Sequence, residues 1–417
     1  MPGSAASRAA LLVAILLLGV GLVEFPASAQ SADASTVRPT TPVLSARRFP
    51  SALVAEADAE LSGAIDTYVN KVVGNTCAIV ELEGRRIVTR GPETPLLPAS
   101  TLKMATALAA IDILGADRTL QTRFVSDARV QKGTLDGDLW VVGGGDPILT
   151  TKGYVSVFDD PDQVSSEFDR IADAVVDLGI TRITGSLIGD DSRYDDVRWI
   201  PSWPSRYQTG GTVSPLSALV VNDGNSGYTD SPDKPTTTRK VGDAPLLFVQ
   251  TLRTVLAQRG VSVDGGSATG TAPPGATELA AVDSLPVVDL VGEMLLNSDN
   301  TTAELLTKEM GLETTGRGTT ANGLSAIRQS LQRQGVEVSA LVMNDGSGLD
   351  TSNRANCSVL LDLFERLAKM PELLANLPVG GRTGTLRRRM LSTPSMTKVR
   401  AKTGTLNGVN ALAGIVD

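Results

Sequence analysis

Three short segments carry residue types that could do chemistry together. The first is Ser100-Thr-Leu-Lys103, which runs on into Met-Ala-Thr-Ala-Leu-Ala-Ala-Ile. On a helix, a spacing of three puts Lys103 one turn from Ser100 on the same face. The helix N-terminus would add partial positive charge and free N–H groups where an oxyanion forms. Met104, Leu108 and Ile111 recur at i, i+4 and i+7, which predicts a buried helix. Burial makes a lysine easier to deprotonate, and a neutral lysine can act as a base toward a serine hydroxyl. The second segment is Ser298-Asp299-Asn300, the only Ser-x-Asn in the chain. The third is Lys402-Thr403-Gly404-Thr405, the only Lys-Thr-Gly. Taken singly, each has an ordinary structural reading: a capping serine with an exposed lysine, a helix N-cap, and a strand end with a solvated lysine. Two further Ser-x-x-Lys matches, Ser231/Lys234 and Ser395/Lys398, sit in Pro-containing stretches and start no helix.

Composition narrows the chemistry from the other side. The 417 residues include no histidine and only two cysteines. That excludes Ser-His-Asp and Cys-His arrangements, His-bearing metal sites and Cys-rich metal sites. No metal and no cofactor is expected. The 38 basic and 46 acidic residues give a net charge of −8. That argues against sequence-independent nucleic-acid binding, which needs a basic surface.

The elements that must position these residues can be read coarsely. The pattern predicts a helix over 52–72, then strands over 77–82 and 87–90 around Glu83-Gly84. A helix over 100–114 follows, with Gly115 as its C-cap. From 121 to 282, short β-like runs such as 139–142 and 183–188 alternate with Gly, Asp, Pro and Thr turns. This predicts one or two mostly β domains inserted into the chain. Helices are predicted over 287–297, 301–311, 326–334 and 357–369. Strands over 398–405 and 409–416 close the chain around an Asn407-Gly408 turn. The fold class is α+β. A catalytic domain is expected from 52–120 and 283–417, with the insert at 121–282 between its halves.

The N-terminus reads as an export signal over 1–29. Arg8 precedes an apolar run over 9–23, and Ala27-Ser28-Ala29 offers a cleavage site. The run falls short of the ~20 residues that a membrane-spanning helix needs. A flexible leader over 30–51 follows, rich in Ser, Thr, Pro and Ala. The protein is therefore expected outside the cytoplasm, with at most peripheral membrane association. In an oxidising compartment Cys77 and Cys357 could pair; two buried thiols are the alternative.

In this order, and each in its structural setting, the three segments resemble those of the serine penicillin-recognising enzymes. The first and second motifs lie 198 residues apart, far more than in a class A β-lactamase. The excess resembles the extra domains of the class C low-molecular-mass penicillin-binding proteins, which are D-Ala-D-Ala carboxypeptidases/endopeptidases. Gly143-Gly-Gly-Asp-Pro147, Ser298-Asp-Asn-Thr-Thr-Ala-Glu304, Asp345-Gly-Ser-Gly-Leu349 and Gly381-Arg-Thr-Gly-Thr-Leu386 agree with it. The resemblance covers nearly the whole chain after the leader. It implies a penicillin-binding-protein/β-lactamase-like fold, with an antiparallel sheet flanked by helices and the Ser-bearing helix at its centre. It implies Ser100 as nucleophile, Lys103 as base kept neutral by burial and by Lys402, and Ser298 as relay to the leaving amine. Asn300 would orient Lys103 and bind a substrate amide. Lys402, Thr403, Gly404 and Thr405 would form the substrate strand and hold the terminal carboxylate. The N–H groups of Ser100 and Thr405 would form the oxyanion hole. The implied partners are peptidoglycan stem peptides, with β-lactams as covalent inhibitors.

Some features mimic or depart from that pattern. Arg382-Thr-Gly-Thr385 imitates Lys402-Thr-Gly-Thr405 but runs into Leu-Arg-Arg-Arg. Glu293-Met-Leu-Leu-Asn297 imitates a β-lactamase deacylation motif but precedes Ser298 instead of following it. Slow deacylation of β-lactams is therefore expected. Asp350-Thr351 stands where the family often has Ser-Arg, which bears on recognition of the diamino-acid side chain. Asp190 and Asp191 sit where relatives place an acidic substrate contact, although paired aspartates in turns are usually solvated. The family continues with a further strand and a helix on the same sheet; both are expected to be missing before Asp417. The competing readings are a serine β-lactamase or esterase, which would turn over a chromogenic β-lactam rapidly, and a catalytically weak peptidoglycan-binding protein.

Overall fold

The computed structural model describes residues 50–158, 160, 163–227 and 241–417. The export signal over 1–29, nearly all of the leader and the Ser231/Lys234 match lie outside the described residues. Helix α1 (Pro50–Val69) leads into an antiparallel hairpin of β1 (Ala78–Leu82) and β2 (Arg85–Arg90), turning at Glu83-Gly84. Ser100 lies in a 3-10 turn (Ala99–Leu102) that passes directly into helix α2 (Lys103–Leu114). The predicted single helix from Ser100 thus starts with a tighter turn. Gly115 ends α2 at φ 88°, in the role expected of it. Met104, Ala105, Ala107, Leu108, Ala109 and Ala110 are all at most 3% exposed. Small side chains let other elements close on α2 from every side, so the Ser-bearing helix is the centre of its domain.

The inserted unit is built on β3 (Gln121–Ser126), β4 (Leu139–Val142), α3 (Asp169–Asp177), β5 (Leu187–Asp190), α4 (Ala244–Gln258), β6 (Ser267–Thr269) and β7 (Thr277–Asp283). Its main sheet runs in the order β6-β5-β4-β3-β7. Strands β4, β5 and β6 are parallel, and β3 is antiparallel to both neighbours. Parallel neighbours need crossovers, and α3 and α4 supply them. The stretch read as mostly β is therefore α/β. Phe248, Val249, Leu252, Val255 and Leu256 bury one face of α4, and Asp243 caps it by accepting from the Leu246 N–H. That helical spacing was masked by the turn-rich sequence around it. The run over 183–188 is broken as well, because Thr184-Gly185 separates strand Arg182–Ile183 from β5.

The chain then returns to α2. Helices α5 (Val287–Leu296), α6 (Asn300–Thr315), α7 (Thr320–Arg333) and α8 (Cys357–Ala368) pack around it through one apolar core. Strands β8 (Val399–Leu406) and β9 (Val409–Val416) form the final antiparallel hairpin. Among the described residues no strand joins this hairpin to β1–β2. Ile79, Phe364 and Leu412 line an apolar cleft of about 280 Å³ between them. Cys77 and Cys357 form a disulfide, Cα–Cα 5.9 Å, which ties the start of β1 to the start of α8.

Helix α6 is clamped to the insert by buried charge. Lys308 pairs with Asp195 and donates to the Val197 carbonyl at 3.0 Å. Glu309 accepts from Arg193 Nε at 2.8 Å and from the Tyr194 hydroxyl at 3.0 Å. These contacts fix the helix whose N-terminus carries Ser298-Asp299-Asn300.

Candidate active site

The fold brings the three motifs together. Lys103 is fully buried, and its Nζ lies 3.0 Å from Ser100 Oγ, 2.7 Å from Asn300 Oδ1 and 2.7 Å from the Ser347 carbonyl. The last two oxygens can only accept, because Asn300 Nδ2 is committed to the Thr212 carbonyl at 2.8 Å. A neutral lysine has two N–H bonds and one lone pair. With both N–H bonds taken, the lone pair faces Ser100. Burial lowers the Lys103 pKa to about 8, against the opposing pull of Asp299, Asp345 and Glu304. Burial is the cause; the Lys402 cation expected to share it does not figure in the shift.

Lys402 is also fully buried and donates to Ser298 Oγ at 2.8 Å and to the Thr403 carbonyl at 3.0 Å. Burial holds its pKa well below the usual lysine value, and the charge of Lys103 adds to the effect. Ser298 adopts φ 61°, a left-handed conformation that a serine enters at a cost. That conformation turns the chain between α5 and α6. Asp299 then caps α6 by accepting from the Thr302 N–H.

Two backbone segments press on the Ser100 turn. A Cβ at Gly404 would lie 2.7 Å from the Pro98 carbonyl oxygen and 3.1 Å from the Ser100 nitrogen. A Cβ at Gly348, where φ is +87°, would lie 2.1 Å from the Ala99 carbonyl oxygen. Only glycine allows β8 and the Asp345-Gly-Ser-Gly loop so close. Thr403 Oγ1 lies 2.7 Å from Thr385 Oγ1. The Arg382-Thr-Gly-Thr385 mimic therefore packs against the motif it imitates.

Glu304 closes the Ser298-Asp-Asn-Thr-Thr-Ala-Glu304 segment. It sits one turn beyond Asn300 on α6, and its Oε1 accepts from the Gly346 N–H at 3.0 Å and the Ser347 N–H at 2.8 Å. It thereby holds the loop whose Ser347 carbonyl meets Lys103. Burial and then the nearby Asp345 push its carboxyl up to about 8. Asp345 organises the same loop, accepting from Gly348 N–H at 2.9 Å, Asn353 Nδ2 at 2.8 Å and Trp203 Nε1 at 2.9 Å. An acid inside an otherwise Thr, Ala and Leu helical turn was the available signal. The carbonyls of Thr212 and Ser347 carry no such signal, since every residue has one.

The remaining candidates are placed elsewhere. Asp190 accepts from the Ser192 N–H at 2.9 Å and the Ala272 N–H at 2.7 Å. Asp191 accepts from Ser217 Oγ at 2.7 Å and pairs with Arg198 at 2.6 Å. Both carboxylates thus make bonds within the insert. Glu293, the deacylation mimic, accepts from Asn297 Nδ2 at 2.8 Å and Gln163 Nε2 at 3.0 Å. Burial pushes its carboxyl up to about 8. Beside the site lies a cavity of about 610 Å³, which Asp299 and Thr385 border.

Fold and site define a serine peptidase of the penicillin-binding class. The model of the D-Ala-D-Ala carboxypeptidase 3 (S13) family matches residues 62–235 and 228–417, and the chain belongs to that family, among the class C low-molecular-mass penicillin-binding proteins. It is 29% identical to a D-alanyl-D-alanine carboxypeptidase of an Actinomadura species, over 99% of this chain and 84% of that protein. It is 30% identical to carboxypeptidase DacB of Mycolicibacterium smegmatis, over 80% of this chain and 71% of that protein. The crystal structure of penicillin binding protein 4 from Haemophilus influenzae superposes with a TM-score of 0.66. That likeness, at 23% identity over 80% of this chain and 84% of that one, supports the fold.

Proposed function

We propose that the protein is a cell-wall D-Ala-D-Ala peptidase that cleaves peptidoglycan stem peptides through an acyl-enzyme on Ser100. The observation that carries this is the set of contacts at Lys103 Nζ, two acceptor-only oxygens and one serine hydroxyl. Ser100 Oγ attacks the carbonyl between the terminal D-alanines while its proton passes to the Lys103 lone pair. The oxyanion lies against the N–H groups of Ser100 and Thr405. The C–N bond then breaks, and the leaving amine takes a proton through Ser298, which Lys402 hydrogen-bonds. Asn300 orients Lys103, and Lys402, Thr403 and Thr405 take the terminal carboxylate. Water releases the acyl group and restores the Ser100 hydroxyl.

β-Lactams present an acyl carbonyl and a carboxylate in the same relation, so they acylate Ser100 as well. Glu293 is committed to Asn297 and Gln163, which supports slow release of that adduct. Export to an extracytoplasmic compartment is supported by the signal pattern over 1–29 and by the Cys77–Cys357 disulfide. A labelled penicillin should mark the wild-type protein and leave Ser100→Ala unmarked. Equal labelling of both would remove Ser100 from its role.

A further inference from the structure

One short stretch of the insert reaches the supports of both oxygens that Lys103 meets besides Ser100. It runs from Ser202 to Thr212, with a single helical turn over Arg206–Thr209. At its far end the Thr212 carbonyl accepts from Asn300 Nδ2 at 2.8 Å, which leaves Asn300 Oδ1 to Lys103. Near its start Trp203 Nε1 donates to Asp345 Oδ2 at 2.9 Å, at the head of the loop that presents the Ser347 carbonyl to Lys103. Residues 208–212, between these anchors, are exposed.

The Trp203 bond is the strong one. A carboxylate has about four acceptor sites, and four donors take those of Asp345. The N–H groups of Gly348 and Asp350 and the Asn353 amide belong to the loop itself. Only Trp203 comes from another part of the chain. Both Trp203 and Asp345 are buried, so the bond is charge-assisted and its loss strands an acceptor away from water. Two further bonds run the same way: Tyr207 donates to the Leu349 carbonyl at 3.3 Å, and Ser202 Oγ bonds Asp350. The Trp203 and Tyr207 rings share an apolar core with Leu305 of α6 and Leu349 of the loop. Among the described residues no hydrogen bond joins residues 202–212 to β8.

We propose that residues 202–212 are a positioning strap for the Lys103 base, anchored by Trp203, whose indole N–H holds Asp345 and thereby the loop that sets the Ser347 carbonyl against Lys103 Nζ. The proposal rests on the serine-peptidase reading, in which Lys103 takes the Ser100 proton. Trp203 acts through Asp345 and the loop, so it is a positioning residue. Without the indole N–H, the loop loses its strongest tie to the insert and the Ser347 carbonyl moves off Nζ. The amine then turns to find another acceptor, and its lone pair no longer faces Ser100. The groups assigned to the substrate carboxylate lie on β8, to which the strap makes no hydrogen bond. Loss of the anchor therefore slows the chemical step and spares binding.

The test is rapid-mixing acylation by a fluorescent penicillin over a concentration series, which separates the apparent dissociation constant from the limiting acylation rate constant. The full-chain proteins are wild type, Trp203→Phe, Tyr207→Phe and Arg182→Ala. The last breaks an exposed pair with Asp264 elsewhere in the insert. Trp203→Phe keeps a buried ring and removes the N–H. Its limiting rate should fall about tenfold or more, the loss expected for a buried bond to a charged group, with the dissociation constant within about twofold. Tyr207→Phe removes a longer, neutral bond and should show the same split at about two- to threefold. Arg182→Ala should match wild type. An unchanged limiting rate in Trp203→Phe, or a loss carried by the dissociation constant, would overturn the strap. So would a loss that only mirrors the unfolded fraction in a melting curve, or an equal loss in Arg182→Ala. Should Trp203→Phe fail to fold, Tyr207→Phe decides, and a wild-type rate there would overturn the strap. A wild type that penicillin does not label would remove the peptidase reading itself, and the strap's role with it.

Discussion

The site makes its own pH profile calculable. In the proposed mechanism acylation requires neutral Lys103, whose pKa burial lowers from the ordinary 10.5 to about 8. The sign follows from the group: an amine gains its lone pair as pH rises, so the reactive fraction grows through the folded-state value. With a pKa of about 8, roughly 9% of Lys103 is neutral at pH 7, about half at pH 8 and about 90% at pH 9. The rate constant for acylation by a penicillin should therefore rise about tenfold between pH 7 and pH 9 and then level off. An unshifted lysine would hold only about 0.03% neutral at pH 7 and would still be climbing steeply at pH 9. The shift is worth on the order of 3 kcal/mol in favour of the reactive form. Lys402 is coupled to Lys103, so the observed value belongs to the pair. The assay is stopped-time labelling with a fluorescent penicillin across pH 6–10. Lys103→Arg is the control: its guanidinium stays charged throughout, so labelling should be lost at every pH. A flat profile, an inflection near 6, or a slope that persists to pH 10 would refute the role assigned to Lys103.

Three further outcomes follow from particular contacts. Glu304 Oε1 accepts from both loop N–H groups and Oε2 only adds a longer bond of 3.2 Å to Gly346 N–H, so Glu304→Gln, which keeps one acceptor oxygen, should keep acylation within about threefold. Glu304→Ala strands two buried donors, each costing about 1–3 kcal/mol, and should lower acylation more than tenfold with a correspondingly lower melting temperature. Ser298 holds φ 61°, so Ser298→Gly should melt above Ser298→Ala by about 1 kcal/mol of stability. Both should release D-Ala at least about a hundredfold more slowly, because neither restores the hydroxyl. The disulfide joins positions 280 apart in sequence, and Cys77→Ser/Cys357→Ser should cost about 2–5 kcal/mol in denaturant unfolding. Its penicillin labelling at 25 °C should be unchanged, since neither cysteine touches the Ser100 turn.

The meeting of the three motifs was legible because side-chain type and order encode it. Ser100, Lys103, Ser298, Asn300 and Lys402 meet as their motifs implied, and α2 lies where its apolar spacing put it. What stayed hidden has physical reasons. The helical crossovers α3 and α4 are surrounded by turn-rich sequence, so local texture outweighed their periodicity. The pairing of Cys77 with Cys357 depends on a distance that sequence separation does not fix. The carbonyls of Thr212 and Ser347 are backbone groups with no residue signature, although they settle which way Asn300 points and what faces Lys103. Thr385 belongs to a motif that leads to no strand hairpin, yet it bonds Thr403 and borders the cavity beside the site.

A serine site without imidazole must lower the affinity of an amine for its proton by some other means. Here the means is dry packing, and dry packing places demands on the rest of the fold. A buried lysine needs acceptors for its N–H bonds in either charge state. Asn300 and Ser347 supply them, and each is held by a bond from elsewhere: Thr212 from the insert side, and Glu304 through the loop backbone. Both supports converge on α6, which carries Asn300 and Glu304 near its start and the Lys308 and Glu309 clamps to the insert one turn further on. In the proposed reaction the insert therefore supports the catalytic residues even where it touches no substrate. Loosening its grip on α6, for instance by Arg193→Ala, would act on Lys103 through Asn300 and the loop. Such a variant should show a slower acylation plateau at pH 9 with penicillin affinity preserved. A fall in affinity with an unchanged plateau would show instead that the insert serves binding alone.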